Sequence, residues 1–487
     1  MNFKMVFNVV GRICQTAGAL LLVPSIVAVI YKEIPQLMTF LIVAAVTFAL
    51  GTLITLICRT KNHIIYAKEG FAIVAAAWIV TSIIGAVPFV ITGEIPSFID
   101  AFFESVSGFT TTGASILTDV EALSKSMLFW RSFTHWVGGM GVLVFIMAIL
   151  PNITERSMHL MRAEMPGPVV GKLVPRAKDT AKILYLIYIA LTLIEVVMLW
   201  LGDMNLFESF VHTFGTAGTG GFGIKGDSIG SYSPYSQWVI TVFMLLFGVN
   251  FNLYFLILIK KFKSVLKSTE LWCYIGIVAI STGIIALNIL SANETIGKSI
   301  RDAAFQVASI VTTTGYATTD FNLWPNLSRG IIFILMFSGA CAGSTCGGLK
   351  ITRTITLVKS VGREFKKMLH PRSVSTVVSE GKSLNEAEIS GVNVYFSLYI
   401  ICIVATFLII SFDSNPSLDF ETNLTAAVSC FNNVGPGLAG VGPTSSYAAY
   451  SGFSKVILSV AMLLGRLEIY PLLIAFVPSV WTKRKKA

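Results

Sequence analysis

Thr110-Thr111-Thr112-Gly113 recurs letter for letter as Thr312-Thr313-Thr314-Gly315, two tracts of hydroxyls and carbonyls that each end on a glycine. Two further segments fit the template in degenerate form, Gly218-Thr219-Gly220-Gly221 and Asn432-Asn433-Val434-Gly435. Aligned on the last glycine, all four carry a small residue six positions earlier: Ser107, Gly215, Ser309 and Ser429. What such tracts offer is oxygen. A cation that sheds its water needs several oxygen ligands, and backbone carbonyls supply them without a fixed charge. Turning successive carbonyls toward one axis requires positive φ at some residues, which glycine adopts freely. Threonine hydroxyls add oxygens or anchor the strand from behind. One such tract would mean little, since threonine–glycine turns also occur in external loops. The register kept four times predicts a four-sided hole through a membrane.

The tracts must be positioned by what surrounds them. Asp100-Ala101-Phe102-Phe103 leads to the first and Asp302-Ala303-Ala304-Phe305 to the third, with Glu208-Ser209-Phe210 and Thr422-Asn423-Leu424 ahead of the other two. These approaches are about 12–14 residues long, too short to span ~30 Å of hydrocarbon and a fair length for a re-entrant half-helix. Such a half-helix aims the negative end of its dipole at the cavity. The chain's 487 residues are 54% hydrophobic and 13% charged. Soluble domains carry about 25% charged residues, so this is a polytopic membrane protein.

The order apolar helix, half-helix, hairpin, second apolar helix, basic loop runs four times. Repeat one takes residues 71–90, 96–109 and 126–150, and repeat two takes 181–201, 206–217 and 237–259. Repeat three takes 271–290, 299–311 and 329–358, and repeat four takes 391–412, 418–431 and 452–477. Two helices near 10–30 and 36–58 precede them. The prediction is an all-α polytopic membrane protein with ten spans and four re-entrant helices. Its divisions are 1–62 for the two extra N-terminal helices, 63–160, 175–265 and 268–370 for repeats one to three, and 386–487 for repeat four.

The net charge of +10 does not form one patch, which excludes a nucleic-acid partner. Basic residues cluster in alternate loops: Arg59, Lys61 and Lys68; Arg156 through Lys182; Lys260, Lys261, Lys263 and Lys267; Lys359 through Arg372; and Lys483 to Lys486. The positive-inside rule makes these loops and both termini cytoplasmic. The hairpins then fall outside with Glu94, Asp100, Glu104, Asp203, Glu208, Asp302, Asp413 and Glu421, an asymmetry that suits a cation entrance or simply reflects where basic residues were excluded. The seven cysteines are mostly embedded in apolar runs, which argues against a disulfide framework. Cys341 and Cys346 lack nearby histidines, so zinc is not expected. Ala17-Gly18-Ala19 has the small-residue look of a cleavage site but precedes the main apolar run, so the segment reads as a retained first span.

Two features interrupt the helices. Residues 339–348 carry four glycines in ten positions, and glycine is disfavoured in a helix interior by about 1 kcal/mol. Either the helix is loosened there, or Gly343 and Gly347 serve close helix packing. Arg466 lies in the apolar run 456–477, where a charge costs at least ~2.5–3.5 kcal/mol, so it lines a water-filled path or pairs with an acid. Gly138-Gly139-Met140-Gly141 predicts close packing of the first second-helix, His135 and His212 read as structural, and Asn250 and Asn252 either face the inner vestibule or bond across helices. No nucleophile–base set, Walker motif or dinucleotide fingerprint is present, so an enzyme is not expected.

The four hairpins, with Thr-Thr-Thr-Gly in repeats one and three and Asn432-Asn433-Val434-Gly435-Pro436-Gly437 in repeat four, resemble the Trk/Ktr/HKT superfamily of potassium transporters over essentially the whole chain. The two extra N-terminal helices resemble the TrkH/TrkG-type membrane subunit. The resemblance implies one filter glycine per repeat, Gly113, Gly221, Gly315 and Gly435, in a potassium-binding filter of Thr110, Thr111, Thr112, Gly218, Thr219, Gly220, Thr312, Thr313, Thr314, Asn432, Asn433 and Val434. Repeat two offers adjacent glycines, and the register stays open between Gly220 and Gly221; an aromatic follows Gly221, as Tyr316 follows Gly315. The resemblance also implies an intramembrane gate of Gly343, Ser344, Thr345, Cys346, Gly347 and Gly348, with Arg466 in the pore below the filter. It implies K+ as the transported ion, no cofactor in this chain, and a homodimer among the lipids of a bacterial inner membrane. It further implies a cytoplasmic ring of nucleotide-binding (NAD- or ATP-type) regulatory subunits, for which residues 359–372 are a plausible contact. Two rivals remain: the potassium-translocating subunit of an ATP-driven pump, which would copurify with a P-type ATPase, and a cation-coupled secondary transporter, which would show inverted repeats.

Overall fold

The computed structural model describes residues 2–59, 67–141, 177–291, 295–372 and 375–478. Helices dominate, and the one small sheet among the described residues is the hairpin Val378–Ser379 with Lys382–Ser383. Phe3–Leu20 and Leu22–Ile30 form one span joined through Leu21, and Ile34–Ile57 packs beside it. Lys61, the basic run from Arg156 to Arg176, residues 142–160 of repeat one and Lys483 to Lys486 lie outside the described residues.

Each repeat opens with a long apolar helix: Ala67–Thr92, Ala177–Trp200, Thr269–Asn288 and Glu386–Ile410. A half-helix follows in each case: Phe98–Phe109, Leu206–Gly218, Ile296–Val311 and Phe420–Asn432. A polar side chain caps every one of the four. Ser97 accepts from the Asp100 amide at 3.4 Å, Asn205 from Glu208 at 2.9 Å, Thr295 from Lys298 at 3.3 Å and Asp419 from Thr422 at 2.8 Å. Such caps satisfy backbone donors that the first turn leaves orphaned.

A second fourfold device ties the first helix to the start of the last. Glu94 accepts from Ser124 N at 3.1 Å and Oγ at 2.7 Å, and Asp203 accepts from Ser233 N at 2.8 Å and Oγ at 2.6 Å. Asp413 accepts from Ser451 N at 2.8 Å, and in repeat three Asn288 accepts from Ser328 Oγ at 2.7 Å. Burial pushes the Asp203 carboxyl up, but the hydrogen bonds from Ser233 and Ser236 outweigh it and hold the group below its usual value. Asp413 is held low in the same way, burial raising it and the bonds from Ser451 and Ser454 lowering it further.

The second helices differ from expectation. The length of the apolar runs predicts that residues 126–150, 237–259 and 452–477 each continue unbroken, but in all three the first helical piece stops short. The helix of repeat one, Lys125–Gly139, ends ahead of Gly141 at φ +82°. In repeat two, Pro234–Phe247 and Phe251–Leu258 meet at 89°, with the Asn250 side chain capping the second piece through Asn252 N at 3.0 Å. A loop separates Asn326–Phe337 from Ile351–Leu369 in repeat three. In repeat four Gly452–Arg466 stops before Glu468 and Ile469 at φ 50° and 68°, and Tyr470–Phe476 resumes. Apolar run length cannot register a break made by caps and left-handed residues. Among the described residues the two N-terminal helices and the first helix of each repeat, six in all, are each long and apolar enough to cross a membrane, and the bent pair of repeat two makes a seventh if taken as one span.

Candidate functional site

The four hairpins share one backbone conformation. Positive φ falls at Thr111 and Gly113, Thr219 and Gly221, Thr313 and Gly315, and Asn433 and Gly435, from 54° to 101°. Gly221, not Gly220, therefore aligns with the other three glycines. The small residue six positions upstream does the same work in every repeat, because its carbonyl accepts from the amide just before the final glycine. The pairs are Thr112 N to Ser107 O at 2.9 Å, Gly220 N to Gly215 O at 2.8 Å, Thr314 N to Ser309 O at 2.8 Å and Val434 N to Ser429 O at 3.0 Å. Glycine is required at Gly215, where a Cβ would stand 2.1 Å from the Tyr316 hydroxyl.

The hairpins also close on one another. A Cβ on Gly113 would lie 2.0 Å from Gly220 O, on Gly221 2.0 Å from Thr314 O, on Gly315 2.3 Å from Val434 O, and on Gly435 2.6 Å from Thr112 O. Repeat one thus abuts two, two abuts three, three abuts four, and four abuts one. Asn433 Nδ2 adds a strut across the last join, donating to Thr112 Oγ1 at 2.9 Å and to Met462 O at 3.0 Å.

Hydroxyls serve mainly as braces. Thr110 and Thr312 donate back to Val106 O at 2.7 Å and Ala308 O at 2.6 Å, and each sits 2.7 Å from the hydroxyl of Thr112 or Thr314. Thr219 turns to Gly218 O at 2.7 Å, and Asn432 Oδ1 accepts from Tyr399 at 2.7 Å. Carbonyl oxygens are left as the feature that all four strands share. The half-helices beneath them present their negative C-terminal ends.

Above the ring, all four glycines line one cavity of about 390 Å³ with Ser115, Arg131, Lys225 and Tyr447. The predicted acidic entrance is not built there. Glu104 is buried in an ion pair with Arg131 at 2.5 Å and also accepts from Ser115 Oγ and Ile116 N at 3.0 Å each. Asp100 pairs with Lys455 at 2.6 Å, Glu421 pairs with Arg329, and Glu94, Asp203, Glu208 and Asp413 cap helices. Composition counts these charges but not the partners that fold beside them. Arg131 stacks 3.6 Å from the Phe222 ring centroid and donates to Gly223 O at 3.1 Å, bracing repeat two from repeat one. Tyr447 donates to Gly435 O at 2.8 Å, a support that the sequence does not reveal.

Below the ring lies the 338–350 loop. Gly343 and Gly348 have φ of 72° and 66°, and Gly347 N donates to Thr313 Oγ1 at 2.8 Å. The loop is pinned at both ends by Glu270, whose carboxylate accepts from Ala342 N at 2.7 Å and from Thr352 Oγ1. Cys341 N reaches Gly248 O at 3.1 Å, and Gly343 O accepts from Phe251 N at 3.1 Å, so the breaks of repeats two and three interlock. The Ser344 hydroxyl stays local, donating to Cys341 O at 2.6 Å, whereas that of Thr345 crosses to Phe247 O of repeat two at 3.4 Å.

Arg466 ends its helix rather than interrupting it, and a cation there complements the dipole. It donates to Thr345 O at 2.7 Å, Gly138 O at 2.5 Å and Gly139 O at 2.8 Å. Glu468 pairs with Arg353, which lies 3.9 Å from the Tyr395 ring centroid. The Gly138-Gly139 segment packs as closely as expected: a Cβ on Gly138 would be 1.9 Å from Phe109 O. A cavity of about 50 Å³ bounded by Trp78, Gly139, Gly343, Cys346, Lys350 and Arg466 remains under the loop. Glu270 and Lys350 escape a reading by motif, although a charge flanking an apolar or glycine-rich run is a usable signal. Among the described residues no group of His, Cys, Asp and Glu could hold a metal ion, and every described cysteine is free.

The family model described as TrkH, cation transport protein, matches residues 36–483. The Trk system potassium uptake protein TrkH of Escherichia coli K12 is 34% identical over 490 residues, covering 99% of this chain and all of that protein. TrkG of the same strain is 33% identical over 491 residues, 99% of each. The crystal structure of the potassium transporter TrkH from Vibrio parahaemolyticus superposes with a TM-score of 0.89 at 32% identity, covering 99% of this chain and 100% of that one.

Proposed function

The chain belongs to the TrkH family of cation transport proteins, and on that premise we propose that it takes up potassium through a filter made by its four hairpins. The supporting observation is the closed ring in which each glycine meets the carbonyl of the next repeat. The carbonyls of Thr112, Gly220, Thr314 and Val434 replace the ion's water on one axis, with those of Thr110, Thr111, Thr219, Thr312, Thr313, Asn432 and Asn433 continuing it inward. Ions collect in the outer cavity, lose water at the ring and meet the 338–350 loop, which acts as the gate.

Arg466 supplies the electrostatic barrier under the filter, because a guanidinium on the ion's route disfavours a second cation. The protein works as a homodimer in a bacterial inner membrane, both termini cytoplasmic, docked to a ring of nucleotide-binding regulatory subunits. Lys359, Arg363, Lys366 and Lys367 on the exposed helix Ile351–Leu369 are the contacts we assign to that ring. Rubidium-86 uptake into liposomes bearing the purified protein, competed by potassium and sodium, tests the reading. Uptake blocked by potassium and not by sodium supports it, and equal competition by both refutes it.

A further inference from the structure

Three successive carbonyl oxygens of the gate loop each accept from a cationic side chain. Thr345 O takes Arg466 Nη1 at 2.7 Å, Gly347 O takes Lys350 Nζ at 3.4 Å, and Cys346 O takes the same ammonium. Lys350 is only 7% exposed. Among the described residues it forms no ion pair, and the nearby Glu468 is engaged by Arg353. A buried ammonium without a counter-anion is costly unless oxygen dipoles replace its water. Carbonyls doing so is the same chemistry that dehydrates an alkali ion. The loop sits against the filter, since Gly347 N donates to Thr313 Oγ1 and a Cβ on Gly347 would lie 2.5 Å from Asn432 O. Lys350 and Arg466 line the small cavity beneath it.

We propose that the carbonyls of Cys346 and Gly347 form a second site for a dehydrated monovalent cation below the filter, filled in this state by the Lys350 ammonium as a tethered cation, beside the Thr345 carbonyl that Arg466 holds. The proposal rests on the filter reading above and names how that path is closed. For an ion to pass, Lys350 withdraws and the vacated carbonyls receive the ion in its place. Arg466 repels from the side, whereas Lys350 occupies the seat.

The test is rubidium-86 flux through full-length protein in liposomes. Lys350→Ala is expected to raise basal flux about tenfold, the shift that follows from weakening the closed state by one charge-assisted contact. Lys350→Met, which keeps most of the stem, gives the same reading should the alanine variant not fold, and Lys350→Arg, which keeps the charge on a bulkier planar group, falls between wild type and alanine. Ethylammonium added on the loop side is expected to return the Lys350→Ala flux toward wild type, a rescue that a purely structural lysine would not show. Flux unchanged by alanine and methionine, or raised flux that ethylammonium leaves untouched, overturns the proposal. The filter reading fails in a different way: wild type and Lys350→Ala would then pass sodium as readily as rubidium, and both ideas fall together.

Discussion

Gly113 and Gly220 meet backbone to backbone: a Cβ on the first would stand 2.0 Å from the carbonyl oxygen of the second. No side chain fits that join without moving a strand, and the φ of 80° at Gly113 adds strain for any L residue. Gly113→Ser should therefore leave a folded protein whose preference for potassium over sodium falls at least about tenfold, a shift of ~1.4 kcal/mol. Competition of rubidium-86 uptake by the two ions measures it, and a variant with unaltered preference would remove Gly113 from the filter.

Arg466 spreads its hydrogen bonds over the 338–350 loop and the C-terminal end of the helix Lys125–Gly139, joining Thr345 O to Gly138 O and Gly139 O. Arg466→Ala should raise resting rubidium flux, because it removes both the positive charge and the tie. A lysine there restores charge without the forked geometry, so Arg466→Lys should fall between the two. Unchanged flux in the alanine variant would dispose of the barrier.

Glu270 holds the loop at Ala342 and Thr352. Glu270→Ala leaves a buried amide and a hydroxyl unpartnered, at about 1–3 kcal/mol each. The expected outcome is a lower melting temperature together with raised basal flux, while Glu270→Gln, which keeps one acceptor oxygen, loses less of both. Stability lost with flux unchanged would make Glu270 a packing residue only.

Asp203 joins two helices of repeat two by accepting from Ser233, and its depressed folded value gives the sign of the pH effect. A carboxylate held low contributes stability above its unfolded value of about 3.9, and that contribution is lost as pH falls through the lower folded value. The site is largely exposed, so after screening Asp203→Ala should cost only about 0.5–1 kcal/mol at neutral pH. Melting curves of the two proteins should draw together as pH falls below about 3.9 and through the lower folded value. A gap that does not narrow over that descent would show that the cap does not depend on ionisation.

Much of this is legible in the chain because it is written in local, repeated signals. The half-helices are short apolar stretches behind Ser97, Asn205, Thr295 and Asp419, and the tracts that follow announce their own glycines. Even the small residue six positions back carries meaning, as the seat of the hydrogen bond that sets each strand. What stays hidden depends on long-range pairing. Glu104 and Asp100 read as free acidic charge until Arg131 and Lys455 fold beside them. The breaks at Gly141, Asn250 and Ile469 lie inside apolar runs that look continuous. Lys350 lies inside the run 329–358 that reads as one helix, although the fold turns it under the glycines.

The filter reading places one ion between four carbonyls. Crystals of the protein grown in rubidium, with diffraction recorded at the rubidium absorption edge, would locate that ion. An anomalous peak is expected on the axis shared by the carbonyl oxygens of Thr112, Gly220, Thr314 and Val434. Rubidium-transporting protein whose crystals place no peak on that axis, and a strong one elsewhere, would rule the filter out.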